Sequence, residues 1–131
     1  MIGLDTNVVV RYCAHDDPQQ TSIARKLMGS LSSEARGFLS LVVLVELVWV
    51  LQGCYRFAKD EIVNALDTLL RSKELMVERA DVVWQALRIF RVGRTDFADC
   101  LIERCGHEAG CERTVTFDRV AASTAGMKLL L

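Results

Sequence analysis

MIGLDTN, residues 1–7, carries the reading on which the fold turns: three apolar residues, Ile2 to Leu4, run straight into Asp5-Thr6-Asn7, a turn and helix start. A short apolar strand that passes at once into a helix start is the opening of a β–α alternation. Outward from it the alternation continues. Asp17-Pro18 supplies an N-cap with proline at the first helical position and opens a helix to about Ser30. Gly37 to Ser40 reads as a brief strand, and the helix that begins near Leu41 is stopped by Gly53. Lys59 to Ser72 places Ile62, Ala65, Leu66, Leu69 and Leu70 at amphipathic helical spacing. Leu75 to Val77 is a third strand, and Ala80 to Val92 a helix ended by Gly93. Thr95 or Asp96 caps the next helix, which runs to about Ala109 before Gly110. Arg113 to Phe117 and Lys128 to Leu131 are the fourth and fifth strands. The pattern predicts an α/β fold, a parallel sheet of about five short strands flanked by helices on both faces. With no linker, repeat or low-complexity segment, residues 1–131 are expected to form a single domain.

The chain has 131 residues, 51% hydrophobic and 25% charged, which suits a folded globule that needs no disulfide or structural metal. Its formal net charge is −1, so a polyanionic partner must be held by a local patch or by bound cations. Cys13, Cys54, Cys100, Cys105 and Cys111 are odd in number and contain no C-x-x-C pair, which fits a reducing cytosol better than a secreted disulfide framework. Cys105, His107 and Cys111 match no standard zinc spacing. MIGLDTN is not a signal peptide, and the apolar run from Phe38 to Leu51 is too short to span a bilayer. A soluble, cytoplasmic protein without membrane contact is expected.

The acids carry the chemistry. In an open parallel sheet, functional groups gather at the carboxyl ends of strands. Asp5 ends the first strand, Asp118 ends the fourth, and Asp96 and Asp99 open the helix that leads into the fourth. Taken singly, Asp5 or Asp118 is explained equally well as an N-cap, and Asp96 with Asp99 as a capping box. Glu46 is different: within LVVLVELVWVL its helical neighbours are Val42, Val43, Trp49 and Val50, and a carboxylate there must protonate, pair or bind metal. Carboxylates gathered together repel unless a divalent cation neutralises them, and oxygen-only ligation suits Mg²⁺ or Mn²⁺. Such an ion can activate water and stabilise the leaving oxygen of a phosphodiester.

Asp5-Thr6-Asn7 after the first strand, the embedded Glu46, the run Asp96-Phe97-Ala98-Asp99-Cys100-Leu101-Ile102 and Thr116-Phe117-Asp118 together resemble the PIN domain. More narrowly, they resemble VapC-type ribonuclease toxins of bacterial type II toxin–antitoxin systems, over the whole chain and in motif order. The resemblance implies an Mg²⁺- or Mn²⁺-dependent endoribonuclease that cuts structured RNA such as tRNA or rRNA, a small cognate antitoxin, and a homodimer. It assigns Asp5, Glu46, Asp99 and Asp118 to catalysis and metal binding. Asp96 is a further ligand or simply a helix cap. Thr6 and Thr116 match small polar positions that orient carboxylates or water, and Cys100 stands where alanine is more usual.

Arg88, Arg91 and Arg94 recur every three residues; they would grip RNA phosphates or complement the dipole of their helix. Trp49, Trp84 and Tyr12 are expected in the core or in dimer contacts, and His15 after the first helix is a weak candidate for substrate contact. A phosphoacceptor receiver domain of similar length would need paired acids after the first strand and a lysine ending the last. Here Asp5 stands alone and Lys128 begins that strand.

Overall fold

Parallel strands cannot be joined by a tight turn, so each return along the sheet needs a crossover, usually helical. The computed structural model describes residues 1–131 and obeys that rule throughout. It divides into two compact units, Met1–Glu78 and Arg79–Leu131.

In the first unit, β1 (Ile2–Gly3) is followed by α1 (Thr6–Ala14) and α2 (Pro18–Ser30). Next come β2 (Gly37–Leu39), α3 (Leu41–Gly53), α4 (Lys59–Arg71) and β3 (Leu75–Val77). The strands pair in parallel in the order β1-β2-β3, with Ile2 opposite Gly37 and Phe38 opposite Met76. Pro18 takes the first turn of α2, and Asp17 caps it by accepting from the Gln20 N–H at 3.0 Å. Ser40 does the same for α3 through the Val43 N–H at 3.2 Å. Glu61 reaches back to the Ala58 N–H at 2.9 Å and closes the start of α4. Gly37, Leu39, Leu75 and Val77 are buried, whereas Phe38 is half-buried and Met76 exposed, as the two-residue period of a strand requires.

In the second unit, α5 (Ala80–Val92) and α6 (Phe97–Glu108) pack against each other, with Phe90 and Phe97 meeting edge to face at 5.9 Å. β4 (Val115–Thr116) and β5 (Lys128–Leu129) form a parallel pair joined through α7 (Arg119–Thr124). Five strands and exclusively parallel pairing agree with the α/β class expected from sequence, although the ladders fall into a group of three and a group of two. α7 has no counterpart among the expected elements. No helix is long and apolar enough to cross a membrane.

Candidate active site

Asp5 occupies the N-cap position of α1 with extended backbone, and its carbonyl accepts from the Val8 and Val9 amides at 3.1 and 3.4 Å. Its side chain takes none of the helix amides. A capping aspartate normally spends its carboxylate on them. The Asp5 carboxylate is exposed and unspent, so capping does not account for it.

Next to Asp5 in sequence, Thr6 is buried and its Oγ1 donates to Glu46 Oε1 at 2.6 Å. This bond ties the start of α1 to the middle of α3 and fixes the direction of the Glu46 carboxylate. One inference from sequence needs correction. Glu46 is exposed, because α3 buries only Leu44, Leu47, Val48 and Leu51 and turns Val42, Glu46 and Trp49 outward. The apolar neighbours along the helix therefore do not desolvate it. Trp49, expected in the core or in a dimer contact, is 60% exposed.

The second unit carries the other three acids. Asp96 is the N-cap of α6 and accepts from the Asp99 N–H at 3.1 Å, so its capping role is real. Thr95, buried just before it, donates to Asp99 Oδ2 at 3.2 Å. Asp118 caps α7: its Oδ1 accepts from the Val120 and Ala121 amides at 2.8 and 3.2 Å, leaving Oδ2 outside the cap. Thr116 Oγ1 accepts from the Asp118 N–H at 3.0 Å, so this threonine holds the turn and not the carboxylate. Burial, the hydrogen-bonded carboxyl of Asp96 and the charges of Asp96 and Asp118 push the Asp99 carboxyl above the usual carboxylate range, against the lowering effect of Thr95.

Thr95 is the buried partner of Asp99 that the sequence offers only as an alternative cap. The sole signal for it was a threonine immediately before a capping aspartate. Arg88, Arg91 and Arg94 are exposed, as either of their two roles requires. His15 ends α1 with φ 56° and lies against the Arg25 guanidinium at 3.2–3.3 Å. It lines a cavity of about 750 Å³ with Tyr12, Cys13 and Phe57, far in chemistry from the acids: none of them borders it. Burial raises the Cys13 thiol there to about 11, leaving it inert.

The family model for the PIN domain matches residues 2–127. The chain belongs to the PIN-domain family. Among curated proteins, this PIN domain is similar to a VapC ribonuclease of Aquifex aeolicus (strain VF5), with 22% identity over 116 residues that cover 88% of this chain and 86% of that one. In chemistry the donors fit the divalent ion that such a domain implies: all are carboxylate oxygens, and burial together with Asp96 and Asp118 raises the Asp99 carboxyl. No three His, Cys, Asp or Glu side chains in the structure gather closely enough to hold an ion by themselves.

Proposed function

We propose that this PIN-domain nuclease is an Mg²⁺- or Mn²⁺-dependent endoribonuclease, the toxin of a type II toxin–antitoxin pair, acting on structured RNA such as tRNA or rRNA. The observation that carries the reading is Asp99: a carboxyl oriented by buried Thr95 and raised by burial and then by Asp96 and Asp118, a state that a bound cation relieves. Asp5, Glu46, Asp99 and Asp118 serve one reaction centre within one domain, with Asp96 both a cap and a contributor of charge. Support for joining them is the family match, which runs across both units.

When bound, the ion supplies charge neutralisation and Lewis-acid polarisation at the scissile phosphate. The chain's own residues supply orientation. Thr6 fixes Glu46, Thr95 fixes Asp99, and the α7 amides fix Asp118, so three of the four carboxylates are held before substrate arrives. Asp5 contributes a carboxylate free of capping duty. Arg88, Arg91 and Arg94 are available to phosphates, which a chain of net charge −1 must hold locally. The protein works in the cytoplasm as a homodimer restrained by a small antitoxin, as the family resemblance implies.

The test is cleavage by purified protein of tRNA and rRNA with Mg²⁺ or Mn²⁺, with and without chelator, alongside Asp5→Asn and Asp99→Asn. Activity that vanishes in chelator and in both variants supports the reading. Full activity in excess chelator, or in either variant, sinks the carboxylate mechanism. Growth arrest on expression alone, relieved by the neighbouring short open reading frame, supports the toxin role.

A further inference from the structure

An exposed aromatic ring gives up the burial that drives folding. Phe90 and Phe97 are buried, and Tyr12, Phe38, Tyr55, Phe57 and Trp84 are half-buried. Only Trp49 and Phe117 stand out into solvent, 60% and 81% exposed. Each adjoins an acid of the proposed site. Trp49 follows Glu46 by three residues on α3, which puts the two on one face a turn apart. Phe117 directly precedes Asp118, and exposed Arg119 directly follows it.

The backbone around both rings is fixed. Glu46 is held by Thr6, and the turn at Phe117 is pinned by the Thr116 hydroxyl on one side and the Asp118 cap on the other. Each ring therefore leaves the backbone close in sequence to a carboxylate whose direction is set. At Phe117–Asp118–Arg119 a ring, a carboxylate suited to a bound cation and a neighbouring guanidinium match the three parts of a nucleotide, base, metal-neutralised phosphate and flanking phosphate, and Trp49 with Glu46 supplies the first two.

Resting on the nuclease reading above, we propose that Trp49 and Phe117 are stacking platforms for unpaired nucleobases on the RNA being cut. The substrate segment is then a loop or single strand whose bases are splayed out. Bases inside a duplex are stacked on each other and show no free face to a ring. Of the two platforms, Phe117 sits against Asp118 in sequence and reads the base nearest that acid. A protein partner docking on the same rings is the competing occupant, and it would need only their apolar surface.

The experiment uses full-length wild-type protein in chelator, which blocks cleavage and leaves every acid in place. A fluorescently labelled single-stranded RNA and the blunt duplex of the same sequence are titrated in parallel. Single-stranded RNA is expected to bind tighter. Trp49→Leu and Phe117→Leu should each weaken it about tenfold, the factor ordinarily lost with one base–aromatic stack, and leave duplex binding unchanged. Trp49→Phe and Phe117→Tyr, which keep a ring, should restore most of the affinity. Wild-type cleavage is measured alongside with Mn²⁺. Leucine variants that bind like their parent, while wild type still cleaves RNA, overturn the platforms and leave the nuclease standing. Wild type that neither binds nor cleaves RNA overturns both. Equal loss for duplex and single strand also overturns stacking, since a duplex has no base to offer.

Discussion

Asp99 concentrates the electrostatic cost of the site. Its carboxyl is raised by burial and by Asp96 and Asp118, so between the unfolded pKa and the folded one the native chain holds more protons than the unfolded chain. The associated stability is present below the unfolded value of about 4 and is lost as pH climbs through the folded one. At neutral pH, Asp99→Asn should therefore raise the melting temperature of the metal-free protein. The gain should shrink when the same pair is melted near pH 4. A variant that melts lower than wild type at neutral pH would make Asp99 a structural residue. Thr95 admits a complementary test. Thr95→Val keeps the volume but removes the hydroxyl that aims Asp99, and loss of such a partner commonly costs about 10- to 100-fold in metal affinity or activity. Divalent-ion titration followed by melting temperature should show that weakening in a protein whose fold, by circular dichroism, is unchanged.

At the scale of elements, the boundaries that sequence marks chemically are the ones that appear in space. Pro18 opens α2 and Gly53 is the last residue of α3 where expected, the first because a locked φ suits the start of a helix. α7 was not legible: Arg119–Thr124 is six residues with no apolar period, and it exists because Asp118 caps it. The same limit explains Glu46. Its hydrophobic neighbours in sequence imply burial, but which face of α3 is covered depends on tertiary packing that periodicity in an almost wholly apolar helix cannot encode. Another long-range feature was invisible for the same reason. Arg11 on α1 donates to Gln20 on α2 at 2.6 Å, to Asp16 at 2.7 Å and to the Tyr55 hydroxyl at 2.8 Å, and Tyr55 donates to Asp16 at 2.7 Å. The tyrosine hydrogen bond holds the Asp16 carboxyl below its ordinary range, and its donation to Asp16 holds the phenol above its own. The tyrosine contribution is present below the unfolded pKa of about 10 and lost as pH rises through the folded value. Tyr55→Phe should accordingly melt below wild type at neutral pH, with the gap closing once the phenol titrates. A gap that is constant with pH would assign the effect to packing instead.

Over the whole molecule, the question is whether acids drawn from residues 1–78 and from residues 79–131 serve one binding event. Each unit holds its carboxylates by its own means: Thr6 and the uncapped Asp5 in the first, Thr95 and the α7 amides in the second. Neither gathers three ligands alone. If they bind one ion between them, then Mg²⁺ or Mn²⁺ at 100 times its dissociation constant should stabilise wild type by about 2.7 kcal/mol through linkage. Asp5→Asn and Asp99→Asn should each remove most of that increment. The double variant should then lose little more than either single one, because independent sites add whereas residues of a single site do not. Melting curves of the four proteins across a metal titration measure this directly. Additive losses, with each single variant keeping about half of the stabilisation, would mean two separate weak cation sites and would end the shared-centre model. Cleavage measured on the same four samples then tells whether the metal that stabilises the fold is the metal that serves the reaction.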